Sequence, residues 1–296
     1  MKKTYTKKDA HQEITDKVIA MIEAASDDWS KPWLTSSLSN GMPTNIASKK
    51  PYRGINVAML MMTDFTSNLW GTYKQWGDKG FQVQKGSKGT MVVLWKPMAK
   101  DIKDPATGDT EKKEWMMLRT FTVFNADQTD YEEPAVDGEE RVFNAIENAE
   151  EYVQNTGVEL FHGGDRAFYV PSRDIVQMPT KTDFHDEEGY YATLLHELTH
   201  WTGHKSRADR SKGMQGRFGT EAYAAEELVA ELGAAILCAT LGITQEPRED
   251  HAKYLKSWLK VLKSDKKAIF TAASKAQQAV DYLDSLQVAE ESTEAA

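Results

Sequence analysis

The sequence predicts an α+β protein of two domains: a mixed α/β domain built around an antiparallel hairpin, then a mainly helical domain with a small sheet. Three observations predict this. Charge divides along the chain, with 19 Lys+Arg against 13 Asp+Glu in residues 1–125, a net of +6, and 17 against 32 in residues 126–296, a net of −15. The overall charge of −9 therefore joins a basic module to an acidic one. Apolar periodicity changes from helical to extended near residue 90, then returns to helical in the second half. Finally, a His-Glu-x-x-His spacing at His196, Glu197 and His200 lies inside one of the later helical patterns. A chain of 296 residues, 40% hydrophobic, is long enough to bury the cores of two domains. The predicted division is 1–125, an acidic linker over 126–145 that holds Pro134 and Gly138, and a second domain over 146–290.

Each element has a local reason. Ala10–Ala25 carries Ile14, Val18, Ile19 and Ile22 at helical spacing, and Gly54–Asp64 carries Ile55, Ala58, Met59 and Met62. A shorter helix is predicted over 68–77. TMVVLWKPM, a turn-rich DPATGD and WMMLRTFTVF then predict a long hairpin over about 90–125. In the second half, a helix over Asn144–Asn155 precedes short strands at Ala167–Val170 and Asp174–Met178. The helix over Asp186–Thr202 ends at Gly203, and the next runs from Thr220, a suitable N-cap, to Leu241, with Gly242 beyond. Two more helices are predicted over 250–263 and 265–286.

Several classes are disfavoured. No apolar run approaches the length of a membrane span, and the lysines of MKKTYTKKDAHQEITDKV are not followed by the apolar core of a secretory signal. The single cysteine, Cys238, lies in an apolar helical stretch and allows no internal disulfide, as expected of a cytoplasmic protein.

Positions i and i+4 share a helix face, so His196 and His200 can direct two imidazoles at one ion. Glu197 is then placed to act as general base on a water beside that ion. A catalytic zinc site needs a third protein ligand. A third histidine ten residues after His196 is excluded, because Ser206 stands there and His204 is out of register. The alternative is a carboxylate from the YAAEELVAELGAA helix, which offers Glu226, Glu227 and Glu231. Glu227 is the preferred ligand, with Glu231 accepting from a ligand histidine. The expected cofactor is one divalent metal, zinc by ligand type, with manganese or cobalt also accepted.

The first part has a different chemistry. Lys31 to Lys100 holds ten Lys+Arg against Asp64 and Asp78, and six of the eight tryptophans lie before residue 126. KKPYRG at 49–54 and WGTYKQWGDKGFQVQKGSKGT at 70–90 interleave cations with aromatics. Single strands are bound by positive grooves for phosphates and ring faces for bases. The phosphate candidates are Lys49, Lys50, Arg53, Lys74, Lys85 and Lys88, and the stacking candidates are Tyr52, Tyr73 and Trp76. Single-stranded DNA is the expected partner, with duplex bound more weakly.

KPYRGINVAML, YKQWGDKGFQVQKGSKGTMVVLWKP and TVFNADQ resemble the N-terminal domain of ArdC-type antirestriction proteins, a domain also found ahead of some plasmid primases. LLHELTHWTGH followed by YAAEELVAELGAAIL resembles the metallopeptidase domain of the same family. The resemblance implies a single-stranded DNA-binding domain joined to a zincin-like, gluzincin-type metallopeptidase domain. It further implies a cytoplasmic protein of a conjugative plasmid that protects incoming plasmid DNA from host restriction, with restriction or regulatory proteins as peptide substrates. The glutamate helix is also similar to that of ImmA/IrrE-type regulatory metallopeptidases, whose ligand Glu stands three residues before an Ala, as Glu227 stands before Ala230. Two other functions fit the residues: a DNA-coating protein with a purely structural metal, and a regulatory metallopeptidase without a DNA role. The intact Glu197 speaks against the first and the basic window against the second.

Overall fold

A computed structural model describes residues 9–25, 41–103, 110–132, 138–210, 220–243 and 252–287. The first part begins with helix α1 (Ala10–Ala25), strand β1 (Thr44–Asn45) and helix α2 (Ile55–Met61), and continues with strand β2 (Leu69–Gly71) and helix α3 (Tyr73–Asp78). The long strands β3 (Thr90–Lys103) and β4 (Thr110–Asn125) complete a sheet of order β1-β2-β4-β3. The long hairpin expected over about 90–125 is present, antiparallel in register from Thr90↔Val123 to Lys103↔Thr110.

The segment read as one helix over 68–77 is divided. Leu69–Gly71 pairs with β1 and β4, and Thr72 is extended and caps α3, its hydroxyl accepting from the Gln75 N–H. The Gln75 side chain accepts in turn from the Thr72 N–H, so a capping box opens the helix five residues later than periodicity suggests. Strand pairing from distant residues overrides local period here.

The second part holds helix α4 (Gly138–Asn155) and a three-stranded sheet of order β5-β7-β6, with β5 Glu159–His162, β6 Phe168–Val170 and β7 Ile175–Met178. Helices α5 (Glu187–Trp201), α6 (Glu221–Leu241), α7 (Ala252–Ser264) and α8 (Ala268–Ser285) follow. Asp186 and Thr220 cap α5 and α6, and Gly242 ends α6 in the left-handed region at φ 74°. Among the described residues no helix is long and apolar enough to cross a membrane.

The two parts share a core. Ile14, Val18 and Ile22 of α1 belong to the same buried cluster as Trp258, Leu262 and Ile269. The Thr15 hydroxyl donates to the Lys266 carbonyl at 2.8 Å, and Arg53 pairs with Asp281 of α8 at 2.6 Å. Residues 126–131, in the predicted linker, pack on the first sheet: Ala126 is buried beside Trp76, and the Tyr131 ring lies 5.9 Å from the Trp76 ring. Substitutions in the whole chain, rather than cut halves, are therefore the suitable probe of each part.

Candidate metal centre and nucleic-acid interface

Helix α5 crosses α6 where Gly233 meets Thr199. A Cβ at Gly233 would lie 2.5 Å from Thr199 Cγ2 and 2.7 Å from its hydroxyl, so only glycine allows this approach. Thr199 is fully buried and its hydroxyl is tied to the Leu195 carbonyl at 2.9 Å, so it has little room to yield. Alanine is the better helix former by about 1 kcal/mol, but overpacking costs about 1–3 kcal/mol. Gly233→Ala is thus expected to lower the melting temperature and weaken metal binding together, because Glu227 and Glu231 lie on the same helix within two turns before the contact. A melting curve and a metal titration on the same sample check this; tighter metal binding would count against the crossing argument.

That crossing brings one carboxylate against two imidazoles. His196 Nε2 lies 3.7 Å from Glu227 Oε2, and His200 Nε2 lies 3.5 Å from Glu227 Oε1. Ligand atoms of His196, His200 and Glu227 all fall within 4.8 Å of one another. The two Nδ1 atoms turn away to separate carboxylates: His196 Nδ1 to Glu231 Oε1 at 3.3 Å, and His200 Nδ1 to Glu226 Oε1 at 3.4 Å. Such contacts fix the ring orientation and leave both Nε2 atoms for a cation.

Arg210 completes the support. Its Nε donates to both Glu226 oxygens at 3.1 and 3.2 Å, and its terminal nitrogens donate to the Thr202 hydroxyl at 3.0 Å and the Thr199 carbonyl at 2.5 Å. Glu226 and Arg210 are both buried, so each neutralises a charge that burial alone would penalise. Glu197 is buried as well, and its Oε2 accepts from the Tyr169 N–H of β6 at 2.9 Å. Among the described residues β6 pairs only with β7, so that N–H points off the sheet edge toward the centre.

Electrostatics follow from this crowding. Burial disfavours the charged form of His196, yet Glu231 and Glu227 outweigh it and raise its pKa. Burial works the same way on His200, where Glu226 and Glu227 prevail and hold the pKa well above the usual imidazole value. Burial would raise the Glu227 carboxyl, but both histidines hold it below the ordinary carboxylate range. Two imidazoles and a carboxylate, with His196 and Glu227 buried, His200 partly so, and all three backed by further carboxylates, fit one divalent cation.

All four residues expected at the metal centre and the expected supporting Glu231 thus meet in one place. Sequence reasoning missed three supporting elements: the contact from Glu226 to His200, the Arg210 clamp, and the Tyr169 N–H. Glu226 was visible as one of three carboxylates within six residues. Arg210 carried no signal, because its partner comes from the next helix.

The aromatic and basic candidates fare unevenly. Lys49, Lys50, Lys74, Lys85 and Lys88 are exposed, as are Arg53 and Tyr73. Lys74 is paired with Asp78 at 2.6 Å, and Arg53 with Asp281. The Asn45 side-chain amide donates to the Tyr52 hydroxyl at 2.9 Å and to Gln75 at 3.3 Å, which sets the 49–54 turn beside α3. Tyr52 is half-buried and burial raises its pKa. Trp76 does not reach the surface: it is fully buried among Ile46 and Ala126, with its Nε1 donating to the Phe124 carbonyl at 2.9 Å. Its expected stacking role is corrected. Nearness to Lys74 in sequence suggested a wet ring, but Phe81 and Tyr131 close over it from outside the helix.

Comparison with known proteins assigns the family. Residues 147–275 match a zincin-like metallopeptidase family model, and residues 8–124 match the N-terminal domain of the anti-restriction factor ArdC. The crystal structure of the metal-free antirestriction ArdC protein from plasmid R388 is 39% identical, with a TM-score of 0.73 over 94% of this chain and 98% of that one. This chain belongs to the ArdC antirestriction family. The Mn(II)-bound form of the R388 ArdC is 37% identical by its own alignment, with a TM-score of 0.71 over 96% of this chain and 100% of that one. Among curated relatives, the uncharacterized protein y4eC of Sinorhizobium fredii is 42% identical over 95% of this chain and 94% of its own length. DNA primase TraC of Escherichia coli is 38% identical over 98% of this chain, which spans 29% of that primase. The ArdC resemblance and the two-part α+β fold expected from sequence are both met.

Proposed function

We propose that this ArdC-family chain binds single-stranded DNA and protects incoming conjugative plasmid DNA from host restriction in the cytoplasm, and that it carries a metal-dependent peptide-hydrolysing centre. The observation that carries the second statement is a buried general-base candidate, Glu197, fixed by a backbone N–H beside three convergent ligand side chains. A divalent ion at His196, His200 and Glu227 would supply Lewis-acid polarisation of a peptide carbonyl and of water. Glu197, with Oε2 anchored, would take the proton from the attacking water and deliver it to the leaving amine. A structural site has no need of such a base. The donor set favours zinc but accepts manganese or cobalt, and the Mn(II)-bound R388 relative makes manganese the direct competitor. Host restriction or regulatory proteins are the proposed peptide substrates. The deciding experiment compares wild type with Glu197→Ala in plasmid transfer into a restricting host, alongside DNA binding. Full protection by the variant would remove hydrolysis from the antirestriction role.

Support for DNA binding comes from the exposed cations around the 49–54 turn, α3 and the 84–89 turn. Each phosphate neutralised on a single strand contributes about −0.7 to the log–log salt slope, so four contacts predict an affinity loss of about 50-fold from about 50 to about 200 mM salt. A binding isotherm across that range checks this, and Lys85→Ala with Lys88→Ala should flatten the slope. An affinity indifferent to salt would sink the phosphate-contact reading.

A further inference from the structure

The β3–β4 hairpin carries a second set of rings and cations, outside the segments discussed above. Cross-strand partners point to the same side of a sheet. The register therefore puts Leu94 with Arg119, Lys96 with Met117, Met98 with Trp115 and Lys100 with Lys113 on one face, with Phe121 opposite Val92. At its base this face is closed: Val92 and Val123 pack with Leu60 and Trp70. Beyond it apolar side chains emerge, with the rings of Trp115 42% and Phe121 41% exposed and Leu94 53% exposed. Lys96, Lys100, Lys113 and Arg119 are exposed among them, and the one acidic residue that the register puts on this face is Glu111, opposite Ile102 at the far end of the paired strands. The opposite face is already used and mixed in charge. There Val93 joins the main core, Trp95 meets the His11 ring at 5.8 Å, and Lys112 pairs with Glu114 at 2.7 Å.

We propose that this hairpin face is a platform for single-stranded DNA, with Trp115 and Phe121 stacking on bases and Lys96, Arg119, Lys100 and Lys113 holding phosphates. The proposal rests on the DNA-binding reading above and names a surface for it. Three features select the occupant. Four cations against the single acid Glu111 at the far end suit a polyanion rather than a typical protein face. Exposed rings offer stacking that paired bases cannot use, so single strands are favoured over duplex. The two rings are six residues apart on one strand, about 20 Å, with Arg119 between them, which suits an extended strand of several nucleotides.

The test uses the full chain, a fluorescein-labelled oligothymidylate and the same strand paired with oligoadenylate. Trp115→Ala and Phe121→Ala are each expected to weaken single-strand binding about tenfold with a much smaller change for the duplex. Lys96→Glu with Arg119→Glu should weaken both forms and flatten the salt dependence. These side chains are exposed, and circular dichroism and bound-metal content verify the fold of each variant. No single-strand binding by the unaltered protein would sink the DNA reading itself. Binding that survives all of these substitutions but is lost with Lys85→Ala and Lys88→Ala would overturn the hairpin platform alone. If the ring variants instead dissociate a dimer in sedimentation and leave DNA affinity unchanged, the face joins copies of this chain and the platform is likewise overturned.

Discussion

Glu227→Ala is expected to abolish tight divalent-metal binding, whereas Glu231→Ala and Glu226→Ala should each weaken it by about 10–100-fold. The three glutamates lie within six residues of one helix and are all buried, so composition does not separate them. Geometry does. Only Glu227 faces the Nε2 atoms of both histidines, at 3.7 and 3.5 Å, while Glu231 and Glu226 each face one Nδ1. Removing the ligand leaves two imidazoles, too few for a tight site. Removing a supporting carboxylate leaves three ligands and frees one ring to turn. Glu226→Ala should also destabilise the fold, because it strands the buried Arg210, and an unpaired buried charge costs about 3–5 kcal/mol. Metal titration with a competing chelator ranks the three variants. Equal losses at all three would mean that the carboxylates act as one charge cluster rather than as ligand and supports.

The second large effect is catalytic. Glu197→Gln keeps the size of the side chain and an acceptor for the Tyr169 N–H but removes the base. Peptide hydrolysis is expected to fall by about 10²–10⁴-fold, the usual contribution of a positioned general base, with metal content unchanged. The readout is cleavage of an unstructured protein such as casein, or of the chain itself, by metal-loaded wild type and variant. A variant that cleaves as fast as wild type would exclude Glu197 as the base. A variant that loses its metal would show instead that Glu197 holds the site together.

Much of this centre was legible beforehand because it depends on helical spacing, which is local. His196 and His200 share a face by period alone, and a buried glutamate in an otherwise apolar helix needs a partner wherever that helix packs. That Glu227 and Glu231 lie on one side of their helix follows from their spacing of four residues; which of them faces the ring nitrogens does not. Helix ends were similarly local, since Asp186, Thr220 and Gly242 act on their own turns.

Tertiary structure alone decided what rests on distant partners. Strand β2 forms because β1 and β4 come to its edges, so the period over 68–77 misled. Trp76 is dry because Tyr131, from the predicted linker, closes on it. Arg210 finds Glu226 only once α5 and α6 cross at Gly233. The sequence by itself determined the ligand types, their helical spacing and the charge division, because these belong to single elements. Which carboxylate faces the ring nitrogens, which aromatics stay wet and whether the two parts share a core are properties of packing, and packing is set by contacts between elements far apart in the chain.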